Sequence, residues 1–456
     1  MNSFPTFTLE SHPPSPGSYP APPIRENPVS ATRQFPPLKP RDSRTTFAFL
    51  SQGAYLGGAE IHISRVLDHC DSTRVRCDRI AIRSAPEIAT IPTLLADWEE
   101  HAPVRAGEQA IREAVRGVDV VLTWGFESAW LEPLLPPDVA VVEIAHSSWE
   151  WPRSMHAMPR STVVAVSAAA LNSVPPDRQS TARIIHNAVH PDRVRVIVGR
   201  DEQRRRWGIP EGMKVAGVVS RLSVEKDPTT WIDGIAALPK DWVGVWVGTG
   251  TDDDRSKNYA SSVAPGRVLF PGPTSDVGSA LGAFDSFVMT SGAEGCCYAL
   301  AEAWLAGTPT ISKQVGLLVA RPDLARILPM DATGKEVAAA ILADLADTEG
   351  TARRVDQALQ FAQSDLSMAQ FGREWTDLIC SIAPRPLVPP VSPQRPAIDP
   401  AVRDAVNACP DRGGVLPISL QPDCGCQGGE LSECRASKGA IPGRVTLQDC
   451  LACQAG

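Results

Sequence analysis

Two carboxylates, Glu294 and Glu302, stand in the stretch Ser291 to Pro309, SGAEGCCYALAEAWLAGTP. The run from Tyr298 to Ala306 reads as a helix, stopped by Gly307 with Pro309 beyond it. A glycine-containing loop that leaves a strand and opens a helix offers unpaired N–H groups and the positive end of the helix dipole, which favour an anion. Glu294 sits in that loop and Glu302 more than a turn into the helix. Such a pair does not suit an acid and a base acting side by side across one bond. It suits two grips on hydroxyls at opposite ends of an extended ligand, with phosphates at the helix start between them. Taken without neighbours, both acids read more readily as exposed surface residues.

Neighbours with matching chemistry exist upstream. Arg221 and Lys226 follow the apolar run Val215–Val219, and Asp227-Pro228 reads as the N-cap and first position of the next helix. Two cations at such a turn can neutralise a leaving diphosphate, a task a metal takes elsewhere. Gly57-Gly58 follows the first strand and opens a helix, so backbone can come close to a phosphate or sugar. His146 ends the fourth apolar strand and should face a cleft; it could equally satisfy local hydrogen bonds. Asp252-Asp253-Asp254 contains an Asp-x-Asp pattern, but it falls at a helix start, where acids complement the dipole, and it is read as surface.

These residues need a scaffold of alternating strands and helices, and the chain supplies one. Short apolar runs fall at 46–50, 79–82, 118–123, 139–145 and 162–166, then at 215–219, 243–247, 268–270, 286–290 and 310–312, with helix-like segments between them. The pattern predicts an α/β protein with two Rossmann-like, doubly wound domains facing across a cleft, residues 45–198 and 199–382. Ligands of such sheets sit beyond the carboxyl ends of the strands. Residues 1–44 hold Pro-Pro pairs and few large apolar groups, so disorder is expected there. A second proline-rich stretch, 383–400, reads as a linker. The helix expected at Met368–Ile382 carries Phe371 and Trp375 and reads as a packing helix that closes the second domain.

Across 456 residues the net charge is −8, which leaves no basic excess for general nucleic-acid binding. No run reaches the length of a membrane-spanning helix, and prolines occupy the place of a signal-peptide core. A soluble cytoplasmic protein is expected, with peripheral membrane contact left open.

With their order and spacing on the page, these motifs resemble the retaining glycosyltransferases of family 4 (glycosyl transferases group 1), which have the GT-B fold. The family's Glu-x7-Glu motif matches Glu294 to Glu302, its Arg-x4-Lys turn matches Arg221 to Lys226, and its Gly-Gly-x-Glu loop matches Gly57 to Glu60. The segment Ile184–Val189, IIHNAV, resembles the family's inter-domain Asn-Gly-Val turn, with Ala188 in place of glycine. The resemblance spans roughly residues 45–382. It implies a hexosyltransferase-type enzyme (EC 2.4) that takes a nucleoside-diphosphate sugar as donor, without a catalytic metal, and a glycan, lipid-linked or small-molecule acceptor. It assigns catalysis to Glu294, His146, Arg221 and Lys226. Donor binding falls to Gly57, Gly58, Arg221, Lys226, Glu294, Gly295, Cys296, Cys297 and Glu302. In that assignment Glu294 orients the donor sugar and Glu302 holds the ribose. Cys296-Cys297 departs from the family, whose members usually carry a bulky apolar residue and a glycine there. The alternatives are a sugar-nucleotide epimerase or sugar phosphorylase on the same fold, or a silent glycosyltransferase-like scaffold with a metal-binding tail.

The remaining feature is a cysteine-rich module over 401–456. Cys409, Cys424, Cys426, Cys434, Cys450 and Cys453 include two close pairs with knuckle-like spacing. The segment has few large apolar residues, so a structural zinc would hold it together; disulfides, an iron–sulfur cluster and disorder stay open. It reads as a docking module for a protein partner that the sequence does not identify.

Overall fold

The computed structural model describes residues 34–52, 57–83, 92–149 and 151–384. The Pro-rich segment before residue 34, the linker beyond residue 384 and all six tail cysteines lie outside the described residues.

Among the described residues thirteen strands form two sheets, each parallel throughout. The first comprises β1 (Thr45–Ser51), β2 (Val75–Ile82), β3 (Val104–Ala106), β4 (Val120–Trp124), β5 (Ala140–Ala145), β6 (Thr162–Ala165) and β7 (Arg183–Ile184). The second comprises β8 (Lys214–Val219), β9 (Trp242–Val247), β10 (Val268–Gly272), β11 (Ser286–Met289), β12 (Thr310–Lys313) and β13 (Arg326–Leu328). Their orders are β3-β2-β1-β4-β5-β6-β7 and β10-β9-β8-β11-β12-β13. These are two parallel-sheet α/β domains, consistent with the GT-B arrangement. Central strands such as β9, buried along its whole length, are apolar on both sides because helices cover both faces.

Strand order reverses between β1 and β4 in one sheet and between β8 and β11 in the other. Open parallel sheets receive ligands at that switch point. Gly57-Gly58 lies past the end of β1, Arg221 and Lys226 past β8, and Glu294 past β11. Three of the expected motifs therefore stand at switch points.

Three boundaries shift from the sequence reading. Residues 34–44, placed inside the disordered segment, pack on the first sheet: Phe35 is buried, and Asp42 pairs with Arg76 on β2 at 2.8 Å. The helix Met368–Ile382 does not close the second domain. It packs on the helix Gly58–His69 and on β1 and β2, with Phe371, Trp375, Leu378 and Ile379 buried. Thr376 Oγ1 accepts a hydrogen bond from the Asp71 backbone at 2.9 Å. The chain thus crosses from the first half to the second over residues 185–190 and returns between the helices Thr348–Ser364 and Met368–Ile382. By contact the second half starts near Pro191, whose 3-10 turn Pro191–Val194 packs on the helices Val277–Ala283 and Tyr298–Leu305. The Val189 amide donates to the Leu366 carbonyl at 2.9 Å, so the two crossings lie side by side.

Candidate donor-sugar site

The helix expected after Cys297 forms as Tyr298–Leu305, with Cys297 as its N-cap in the left-handed region at φ 71°. That conformation suits glycine and costs an L-residue about 1–2 kcal/mol. The structure thus shows why glycine fits there and that a cysteine replaces it under strain. Cys296 is buried, and burial pushes its thiol up to about 12. Burial likewise pushes Cys297 well above the ordinary thiol range, with the Glu294 charge adding to it. Both thiols are protonated at neutral pH, as small fillers should be.

Glu294 and Lys226 come together. Lys226 Nζ donates to Glu294 Oε1 at 2.7 Å, with side-chain exposures of 14% and 10%. Burial opposes the ammonium charge, but Glu294 more than offsets it, and Lys226 titrates above the usual lysine range. Its backbone is fixed as well. Thr290 Oγ1 donates to the carbonyls of Lys226 and Asp227, and Asp227 caps the helix Pro228–Ala237 by accepting from the Thr230 amide at 3.2 Å. Lys313, buried at the end of β12, pairs with Asp227 at 3.0 Å. Arg221 is not drawn into this pair. Its side chain is 72% exposed and bonds Glu225 at 3.2 Å.

Glu302 is 6% exposed and accepts from Arg193 Nε at 3.1 Å. Burial raises its pKa, and Arg193 partly offsets the rise. It is therefore no surface acid. Glu294 and Glu302 each have a separate cation, so they do not form one acid–base pair.

Gly58 meets the second half directly, while Gly57 meets Glu60 of its own helix. A Cβ on Gly58 would lie 3.2 Å from the ring of Tyr298, and one on Gly57 would lie 2.8 Å from the Glu60 carboxylate. The helices Gly58–His69 and Tyr298–Leu305 thus touch at their first residues, and among the described residues neither has a side-chain N-cap. Two uncapped helix starts, one from each sheet, meet beside the Lys226–Glu294 pair. Such a place favours an anion. Glu60 lies within the first turn, where burial pushes its carboxyl up to about 7.

His146 follows β5, the fifth strand because β3 intervenes. Its ring meets His62 and Trp124 edge-on at 4.8 and 5.6 Å, and its Nε2 is out of contact with solvent, with no partner among the described residues. Burial holds its pKa well below the usual range, with the His62 and His156 charges acting the same way. The ring is neutral. The residue faces the second half through its carbonyl, which a Cβ on Gly295 would overlap. The Gly295 carbonyl in turn accepts from Ser167 Oγ of the first half.

Asp252 to Asp254 begin the helix Asp253–Val263, as read. No group of three or more His, Cys, Asp or Glu that could hold a metal occurs among the described residues. Sequence reasoning missed His62, fully buried, with Nδ1 2.7 Å from Asn187 Oδ1 and with Phe371 and Trp375 against its ring. It also missed Arg65, Tyr298 and Arg193. Asn187 lay in the IIHNAV segment and carried a signal; the others did not.

Residues 199–319 match the family model of glycosyl transferases group 1. The matched stretch holds Arg221, Lys226, Glu294 and Glu302. A 2-deoxystreptamine glucosyltransferase of Streptomyces kanamyceticus is 29% identical over 205 residues, covering 43% of this chain and 50% of that protein. The chain therefore spans about half the length of the curated relative it matches. Among solved structures, Anabaena HepE in complex with UDP and glucose superposes with a TM-score of 0.61 at 18% identity, over 74% of this chain and 100% of that one. A glycosyltransferase of Rickettsia africae gives 0.62 at 14% identity, over 75% and 99%. At these identities the likeness is one of fold. No helix among the described residues is long and apolar enough to cross a membrane.

Proposed function

We propose that the chain is a glycosyltransferase that moves a sugar from a nucleoside-diphosphate sugar to an acceptor hydroxyl. The observation that carries this reading is the convergence of two uncapped helix starts beside a buried Lys226–Glu294 pair, at the switch points of both sheets. The fixed helix ends take the diphosphate, Lys226 offsets the charge that builds on it as the bond to the sugar breaks, and the exposed Arg221 swings in from the rim. Glu294 then has two tasks. It balances Lys226 and accepts hydrogen bonds from the donor sugar, which tighten as positive charge grows at the anomeric carbon. Glu302 accepts from the ribose hydroxyls. His146 supports the wall through its carbonyl, and its ring reaches a sugar only if the rings around it move. No step requires a metal.

Two relatives support this reading: one is a glucosyltransferase by name, and one fold neighbour was crystallised with UDP-glucose. A UDP-sugar is therefore the first donor to test. Retention of anomeric configuration and the hexosyl class rest on the family resemblance alone, as does a glycan, lipid-linked or small-molecule acceptor, while a cytoplasmic setting rests on the sequence pattern. The test is a screen of the purified chain against UDP-, GDP- and ADP-sugars for diphosphate release, with calorimetry of the free diphosphates. Release from one donor class, lost in Lys226→Met, supports the reading; no binding and no release from any of them overturns it.

A further inference from the structure

We infer that Arg193, on the segment joining the two halves, is a positioning residue for the donor nucleotide: it holds Glu302 ionised and turned toward the ribose, and so couples nucleotide binding to the inter-domain crossing. This rests on the donor-site reading above.

Glu302 lies on a helix of the second half, almost out of solvent, and the acid's direct partner is Arg193. The bond uses Nε, and the guanidinium stays open to solvent, with its side chain 45% exposed. Among the described residues Nη1 and Nη2 have no bond, which leaves two donors for a ligand beside the carboxylate. A buried carboxylate without a cation loses its charge, because burial penalises the ionised form. Among the described residues the charged groups facing Glu302 are Arg193 and Arg65. Arg65 approaches from the helix Gly58–His69, but its guanidinium lies over the Tyr298 ring at 4.4 Å and donates to the Ala188 carbonyl. Tyr298 shares the helix of Glu302 and is uncharged, since burial pushes its phenol up to about 12. Arg193 is thus the cation committed to Glu302.

Its location gives the coupling. The 3-10 turn Pro191–Val194 follows the crossing directly and packs on the helix that carries Glu302. Three residues upstream of the turn, the Ala188 carbonyl is held by Arg65 of the first half. One short segment is therefore gripped by the first half at Ala188 and grips the donor site through Arg193. A ribose that shares Glu302 must meet Arg193 as well.

The experiment measures UDP binding by calorimetry between pH 5.5 and 8 for the wild type, Arg193→Gln, Arg193→Lys, Glu302→Gln and the double variant Arg193→Gln/Glu302→Gln. Taking ratios to the wild type cancels titration of the nucleotide and of Glu60. Arg193→Gln should weaken UDP about tenfold or more, as loss of a charged hydrogen bond does. The ratio should widen as pH falls, because Glu302 without its cation takes up a proton at higher pH. Arg193→Lys should flatten the ratio, and the double variant should bind no worse than Glu302→Gln. Arg193 sits half-exposed on a turn, so melting curves should show all four variants folded. Wild-type affinity of Arg193→Gln at every pH, or full additivity in the double variant, overturns the inference while leaving the donor site intact. If the wild type binds none of UDP, GDP and ADP, the donor-site reading falls and the inference with it.

Discussion

Replacing Glu294 by Gln tests two claims with one substitution. The side chain keeps its shape and one acceptor oxygen, but Lys226 loses the charge that offsets its burial. Both groups are nearly enclosed, at 14% and 10% exposure, so solvent does little to screen the loss. A hydrogen bond between charged groups in such a setting contributes about 1.5–3 kcal/mol, and removing one partner from a buried pair can cost roughly 3–5 kcal/mol. Because Gln still accepts a hydrogen bond, the lower range applies. We expect a loss of about 2 kcal/mol, seen as a fall in melting temperature of roughly 4–8 °C for units of ordinary domain size. Turnover should fall further, by about a hundredfold or more, as removal of one fixed transition-state contact does. The double variant Lys226→Met/Glu294→Gln separates the two effects. With both charges gone no ammonium is left unpaired, so stability should return toward that of the wild type while activity stays lost. Calorimetric melting and donor turnover on the same preparations decide the matter. Near wild-type turnover with lowered stability would reduce the pair to a structural contact, and unchanged stability would refute the burial argument itself.

The remaining predictions use other parts of the same frame. Cys297→Gly relieves the left-handed strain but deletes a buried thiol, so stability should stay within about 1 kcal/mol by denaturant titration with turnover retained; Cys297→Val should be much less stable. Gly295→Ala places a methyl on the His146 carbonyl, so it should separate the halves locally and abolish transfer, read by turnover and by hydrogen exchange at residues 144–148. Glu143 is buried, accepts from Ser128 and Ser161, and pairs with Arg178 at 3.0 Å; Glu143→Ala should lower stability by roughly 3–5 kcal/mol in denaturant titration. Glu60 supplies the pH dependence. Its pKa rises from 4.5 to about 7 on folding, so the folded state binds the extra proton and this share of stability fades as pH climbs through that window. Glu60→Gln should therefore remove this downward share of the melting temperature's pH dependence between those limits.

The fold was legible where strands are apolar throughout, as at β9, or nearly so, as at β11, and where helices carry their own punctuation. Asp227-Pro228 and the run from Met368 to Ile382 show the latter. Strands β3 and β13 escaped because three residues at a sheet edge carry no periodicity. The start of β2 was hidden because Arg76 and Asp78 break its apolar pattern and are satisfied by each other at 2.5 Å. Among the candidate site residues, Glu294, Glu302 and Lys226 stand out in the sequence because their spacing is local to one loop, helix or turn. Arg193, Arg65 and His62 could not, since their roles depend on partners more than a hundred positions away in the chain. The packing of Met368–Ile382 on the first sheet was missed for the same reason: an amphipathic face says that a helix packs, not on what.

That return crossing also has a mechanical meaning. A polypeptide joined once between two bodies is a swivel, free to twist as well as swing. Here two strands of chain pass between the bodies, stitched to one another by the Val189–Leu366 hydrogen bond. Side by side they behave like the paired knuckles of a door, resisting torsion while leaving one axis for opening. An opening of the two halves would then be a swing about residues 185–190 and 365–367. Cutting either strand should leave the bodies tethered but free to rotate out of register.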